Sequence, residues 1–366
     1  MSESKHIASL NHDRIFGFDI LRACAIIFVV AVHGRFLVEG TFLYDFPYLI
    51  FADGVDLFFV LSGFLIGTIL LKEISTSESF TFSQLTNFWK RRWFRTLPNY
   101  YLILLVNVII VKYNIINEDI NQFNWKFLFF LQNFKDSFYG FFWESWSLSI
   151  EEWFYIFAPI ILLILIKLLP AKKAFLTTVL ILIFTPIFFR FFKESPAQID
   201  WNWLELEIKK SVLTRLDSIG YGLLAAWTAF YYHDFFRKYK IHFLILAIVL
   251  QYVIANYNFN NNTFYLKVMY FSLMPMTAMF FLPIAHSIKQ GRGFIAKMVT
   301  HISKISYSMY LVNLAIVAEV INCNFPKTSV NDGILKYVLY WGIVIILSSI
   351  IYRFFEKPMM NLRNKF

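Results

Sequence analysis

The stretch FDILRACAIIFVVAVHG, residues 18–34, is apolar and about long enough to cross a lipid bilayer as a helix, yet it holds Arg22 and His33. Ionisable side chains at that depth are costly and indicate a functional site, unless they reach water at a membrane surface. On a helix, their eleven-residue separation places the two side chains within about 20° of each other and about 16 Å apart along the axis. The stretch predicts a membrane helix with a permanent cation and a titratable imidazole on one face.

The whole chain has the composition of an integral membrane protein, since 58% of its 366 residues are hydrophobic and 16% are charged. It has only 2 cysteines, Cys24 and Cys323, which offer neither a disulfide framework nor the ligand spacing of a metal site. Apolar segments recur along the chain and predict an all-α fold of about ten transmembrane helices. They lie at about 16–36, 50–71, 97–112, 146–169, 174–191, 212–231, 241–257, 265–286, 304–322 and 334–354.

Basic residues orient these helices. The formal net charge is +10, and Lys and Arg are concentrated in the segments that a cytoplasmic N-terminus would place inside the cell. In a multi-pass membrane protein this bias indicates topology and anionic headgroups, and not nucleic acid. We therefore expect both termini in the cytoplasm. The predicted organisation is a cytoplasmic N-terminal segment at 1–15, one transmembrane domain at 16–358 and a cytoplasmic tail at 359–366.

A basic stretch, KRRWFR at residues 90–95, falls in the loop predicted after the second span. Arg92 and Arg95 are three positions apart, so on a helical turn they share a face. Two guanidinium groups placed in this way can hold a phosphate through paired hydrogen bonds. Ordinary enrichment of positive charge on the cytoplasmic side is the alternative explanation.

The stretch WSLSIEEWFY, residues 146–155, places two adjacent carboxylates in the fourth span. Ser147, Glu151 and Tyr155 recur at every fourth position and share one helical face, while Glu152 points elsewhere. A buried carboxylate can orient an imidazole or act as a base. The alternative is an interfacial turn whose acids stay in water.

Four further polar residues fall within or at the ends of predicted spans. Asp56 opens the second span, as either an interfacial acid or a functional one. Arg215 and Asp217 open the sixth, where an internal ion pair is expected. Tyr310 belongs to the hydroxyl-rich stretch SYSMY, residues 306–310, which either lines a polar cavity or hydrogen-bonds to neighbouring helices.

Together these stretches resemble the acyltransferase-3 family of membrane acyltransferases, which includes bacterial polysaccharide O-acetyltransferases. The resemblance implies transfer of an acyl group, often acetyl from acetyl-CoA, to a hydroxyl of a glycan or similar acceptor. It also implies that His33 is the catalytic histidine and that Arg22, Arg92 and Arg95 bind the donor. The matching pieces are Arg22 with His33, GVDLFFVLSGFLI at 54–66, Arg92 with Arg95, WSLSIEEWFY at 146–155, TRLDSIGYGLLAA at 214–226, ISYSMYL at 305–311 and FFEKP at 354–358.

The chain departs from the family pattern in two respects. Family members often carry a histidine where this chain has Asn313, so no catalytic role is assigned to that position. Some members also carry a fused periplasmic hydrolase-like domain. This sequence stops at Phe366, so we expect either a separate extracytoplasmic partner protein or none.

The sequence thus favours a multi-pass acyltransferase of the bacterial inner membrane, with acyl-CoA as donor substrate, no permanently bound cofactor and a glycan or glycolipid acceptor. His33 would act as general base or accept the acyl group itself, and Glu151 would orient or activate it. The rival class is a transporter or flippase for a lipid-linked glycan precursor, because intramembrane charges also line transport paths. Many transporters contain internal repeats, and the sequence shows none. A structural subunit of an envelope complex is a weaker rival.

Overall fold

The computed structural model describes residues 14–45, 53–76, 81–135, 140–196, 198–256 and 262–362, and these residues form helices and loops without a β-strand. The helices follow one another along the chain and are numbered here in that order. They are α1 Phe16–His33, α2 Gly54–Thr76, α3 Phe82–Lys112, α4 Ser145–Leu165, α5 Ala171–Phe192, α6 Leu216–Tyr231, α7 Lys240–Asn256, α8 Tyr265–Ser287, α9 Gly293–Asn324 and α10 Val330–Leu362.

The predicted all-α membrane fold is confirmed. Within the described ranges, 8 helices are long and apolar enough to cross a membrane, namely α1 to α5 and α8 to α10. The shorter helices α6 and α7, with 16 and 17 residues, coincide with the predicted spans at 212–231 and 241–257. The count of ten spans and the cytoplasmic location of both termini remain predictions. The predicted segment 1–15 lies outside the described residues except for its last two, as do the last four residues of the predicted tail.

Helix α3 corrects the prediction for the basic stretch at 90–95, which is helical and not a loop. The helix begins well before the predicted span, at Phe82, because Thr81 and Gln84 form a capping box at its N-terminus. Arg92 and Arg95 therefore lie on a continuous helix and share a face, as their spacing predicts.

Helices α2 and α6 cross with their backbones almost in contact. A Cβ atom on Gly63 would lie 2.1 Å from the carbonyl oxygen of Ile219, and one on Gly222 would lie 2.1 Å from that of Val60. Only glycine fits at either position, which is the usual way for membrane helices to approach closely.

Two buried ion pairs join the helices around this crossing. Arg215 donates to Asp56, and Arg190 donates to Asp217 at 2.6 Å, with Ser272 donating to the same Asp217 oxygen at 2.7 Å. The internal ion pair expected at Arg215 and Asp217 is present as two separate pairs, because residues two apart on a helix do not face each other. Each instead pairs with a different helix, so α2, α5, α6 and α8 are tied together.

Replacing Gly222 with alanine should lower the melting temperature of the detergent-purified protein, because the new methyl group forces α2 and α6 apart. Overpacking of this kind costs about 1–3 kcal/mol. The matched control is Gly342→Ala in α10, where an added Cβ has no neighbour within 4 Å. This control should melt at or slightly above the wild-type temperature, since alanine favours helix. Equal melting of the two variants would contradict the close crossing.

Candidate functional site

A cavity lies between helices α1, α2, α3, α4 and α9. Its wall combines aromatic and aliphatic side chains from α2 with charged and hydroxyl groups from the other four helices. The polar residues of the wall are Arg22, Ser62, Arg92, Arg95, Thr96, Ser147, Glu151, Tyr155, Ser306, Tyr307 and Tyr310.

Three arginines converge on this cavity, as the donor-site prediction requires. Arg22 comes from α1, and Arg92 and Arg95 come from α3. None of the three forms a salt bridge with a described residue. Asp19, which lies one turn before Arg22, is already held by Arg14 at 2.5 Å and by Ser303. The cavity wall is therefore cationic.

The two adjacent carboxyls of α4 have different surroundings. Glu151 lies on the cavity wall and accepts a hydrogen bond from the Tyr155 hydroxyl one turn later. Glu152 points away from that face, as predicted, but it is buried and accepts a hydrogen bond from Thr96 at 2.6 Å. For Glu152, the alternative of an interfacial turn in water is wrong. Within the described lining, Glu151 is the acid that partly offsets the three arginines.

A hydrogen bond between α4 and α9 forms part of the cavity wall. Ser147 donates to the Tyr310 hydroxyl at 2.6 Å, and Tyr310 donates to the backbone oxygen of Glu144 at 3.1 Å. Both expected alternatives for Tyr310 therefore hold at once, because it lines the cavity and also bonds to a neighbouring helix.

His33, the last residue of α1, is not among the described residues that line the cavity. Its Nδ1 is 2.5 Å from the side-chain oxygen of Asn313. Asn313 is three residues after Tyr310 on α9, which is about one helical turn. Glu151 is not a hydrogen-bond partner of His33 in the described structure, so its role in orienting or activating the imidazole stays a prediction. Asn313, which the sequence analysis left without a role, is the partner that contacts the imidazole.

The other predicted residues lie away from the cavity wall. Asp56, Arg215 and Asp217 are engaged in the buried ion pairs between helices. Sequence analysis missed Arg190, although a charge within an apolar span marks it as clearly as it marks Arg22. The described residues contain no cluster of His, Cys, Asp or Glu suited to a metal ion.

Glu144 is a second group that sequence analysis missed. It lies just before α4, is buried, and accepts a hydrogen bond from the backbone N–H of Ala315 at 2.8 Å. Its other carboxyl oxygen has no hydrogen-bond partner in the described structure. Burial raises the pKa of Glu144 to about 8. Nothing in its local sequence distinguishes it, because its partner lies on a distant helix.

Known proteins match most of the chain. Residues 15–353 match the family Acyl_transf_3, described as "Acyltransferase domain". The chain is 28% identical over 375 residues to SACOL0978 of Staphylococcus aureus (strain COL), which is provisionally named an O-acetyltransferase. The match covers 93% of this chain and 56% of that protein. The chain is 38% identical over 178 residues to peptidoglycan O-acetyltransferase OatA of Listeria monocytogenes, covering 44% of this chain and 26% of that protein.

The chain spans about half the length of the S. aureus relative, and a smaller part of the Listeria one. No solved structure matches it significantly.

The pKa of Glu144 predicts a pH-dependent stability. Folding raises this pKa, so protonation of Glu144 stabilises the folded state. That stabilisation is lost as the pH rises through about 8. Glu144→Gln keeps an acceptor for Ala315 but cannot ionise, so its melting temperature should fall less than that of the wild type between about pH 6 and pH 9. Exposed Glu194→Gln is the control. Parallel pH curves for wild type and Glu144→Gln would contradict the assignment.

Proposed function

Because the chain belongs to the Acyl_transf_3 family of acyltransferases, we propose that it transfers an acyl group, acetyl above all, from acyl-CoA to a hydroxyl of a glycan or glycolipid. The observation that carries this proposal is the cavity lined by three arginines that form no salt bridge with a described residue, with His33 held by Asn313 one helical turn after the cavity-lining Tyr310. Such a cavity suits a ligand with an anionic end and a reactive end.

The donor part of the proposal rests on charge and length. Guanidinium groups bind phosphate oxygens through paired hydrogen bonds, and CoA carries several phosphates. Arg22 and His33 are about 16 Å apart along α1, which suits a phosphate group at one end and a thioester at the other. Donor entry from the cytoplasm and acceptor entry from outside are proposed from the charge bias of the sequence, and the bacterial inner membrane is the proposed location.

The chemical step assigned to His33 admits two routes. As a general base, it removes the proton of the acceptor hydroxyl while that oxygen attacks the thioester carbonyl. The carbon–sulfur bond then breaks, and the CoA thiolate takes up the proton. As a nucleophile, His33 first accepts the acyl group and releases CoA, and the acceptor hydroxyl then takes the acyl group. Both routes end in an ester and CoA.

The acceptor is proposed from the relatives. The Listeria relative is named a peptidoglycan O-acetyltransferase, and the S. aureus relative carries an O-acetyltransferase name. A cell-envelope glycan, free or linked to a lipid, is accordingly the acceptor class to test first. The test is transfer of label from radioactive acetyl-CoA to such acceptors by the purified protein in lipid vesicles.

His33→Ala should reduce this transfer by about 10²–10⁴-fold, since a general base contributes that much. Protein level and melting temperature should stay near the wild-type values. His301→Ala is the matched control, because His301 is exposed and bonds only to Ser349 among the described residues. Near-normal transfer by a well-folded His33→Ala protein would exclude both routes.

Arg92→Lys should weaken CoA binding, measured by titration calorimetry in detergent, because an ammonium group does not reproduce the paired hydrogen bonds of a guanidinium. Arg22→Ala and Arg95→Ala should weaken it further. Arg91→Lys is the control, because Arg91 is the neighbouring residue, is exposed and does not line the cavity. Unchanged CoA affinity in all three cavity variants would mean that these arginines set the membrane topology and do not bind the donor.

A further inference from the structure

We infer that Asn313 is a positioning residue that fixes the tautomer of His33, with the proton on Nδ1 and the lone pair on Nε2. The inference deepens the proposed function, since it specifies which nitrogen of the imidazole can act. It rests on how the side-chain amide of Asn313 is held, which is independent of any assumption about the reaction.

The amide nitrogen of Asn313 is fully engaged. It donates to the backbone oxygens of Met309 at 2.9 Å and Tyr310 at 2.7 Å, so both of its hydrogens are used. A flipped amide would place its oxygen against these two carbonyl oxygens and would lose both hydrogen bonds. The side-chain oxygen of Asn313 must therefore face His33.

That oxygen can only accept a hydrogen bond, so the contact of 2.5 Å requires a proton on Nδ1 of His33. In the neutral imidazole, Nε2 then carries the lone pair. Nε2 has no hydrogen-bond partner among the described residues. It is thus the nitrogen available to deprotonate an acceptor hydroxyl or to take up an acyl group.

The backbone around Asn313 supports its position. Asn313–Ala318 forms a π-helical turn, and the N–H of Ala315 within it is held by the carboxyl group of Glu144. Tyr310, one turn earlier, is bound to Ser147 and to the backbone of Glu144. Three hydrogen bonds from the α4 side therefore hold the segment of α9 that presents Asn313.

The charges that act on His33 most strongly are those of Lys209, Lys210 and Asp53. Lys209 and Asp53 pair with each other at 2.9 Å, and Lys210 pairs with Glu205 at 2.9 Å. Their charges are thus largely compensated by their own partners. In the described structure, Asn313 is the group in direct hydrogen-bond contact with the imidazole.

Nitrogen-15 NMR of histidine-labelled protein tests the tautomer directly, because protonated and unprotonated ring nitrogens differ widely in chemical shift. A His33→Gln sample identifies the His33 signals. We expect a protonated Nδ1 and an unprotonated Nε2 in the wild type, and a mixture of tautomers in Asn313→Leu. A wild-type signal from the opposite tautomer overturns the inference, whether or not the protein transfers acyl groups. The expected tautomer without transfer by the wild type overturns the proposed function alone.

Kinetics provide the second test. Asn313→Leu should lower kcat by about 10- to 100-fold, less than the loss of His33, with CoA affinity unchanged. Asn313→Asp presents an oxygen to Nδ1 and adds a negative charge, which favours the imidazolium. Its second oxygen replaces the amide nitrogen against the carbonyls of Met309 and Tyr310, so its melting temperature should fall. The variant should keep the Nδ1–H tautomer, recover activity at alkaline pH and shift the acidic limb of the pH–rate profile upward. Wild-type kcat in Asn313→Leu, or an unshifted limb in Asn313→Asp, overturns the inference.

Discussion

The close crossing of α2 and α6 at Gly63 and Gly222 is the constraint on which the charged interior depends. With the two backbones in contact, Asp56 on α2 reaches Arg215 at the start of α6. A buried charge without a partner is very costly in a membrane, so the loss of one member of either interhelical pair should destabilise the bundle. The cavity arginines differ from these paired charges, because they form no salt bridge with a described residue. The protein compensates its structural charges internally and leaves a second group of cations facing an open space.

Sequence reasoning recovered the fold class because the bilayer imposes it. Apolar segments of sufficient length must become helices, since no other open structure satisfies its backbone hydrogen bonds in lipid. The start of α3 was missed because the polar stretch before residue 97 lacks the apolar character by which spans are recognised. The partners of Arg215 and Asp217 were also missed. Periodicity shows which residues share a face of one helix, but it does not show which helix that face meets.

Periodicity does not show which helices meet, and this limit also explains which site contacts were predicted and which were not. Arg92 with Arg95, and Ser147 with Glu151, lie on common faces as their spacing indicates, and packing brings both pairs to one cavity. Glu151 was expected to orient His33 because it is an acid in a distinctive stretch. The actual neighbour, Asn313, is separated from His33 by 280 positions in sequence. Its residue type carries no signal of this role, because a buried asparagine is more often an ordinary packing contact between helices.

The π-helical turn at Asn313–Ala318 also has a consequence for how this chain can vary in length. Such a turn holds one residue more than the α-helical turn it replaces. Deleting one residue there would restore a regular helix, but it would rotate everything beyond by about 100°. Glu319–Asn324 would then present a different face to its neighbours. Insertions and deletions in this segment are therefore constrained even where substitutions are tolerated, and an alignment of residue identities alone would not reveal that constraint.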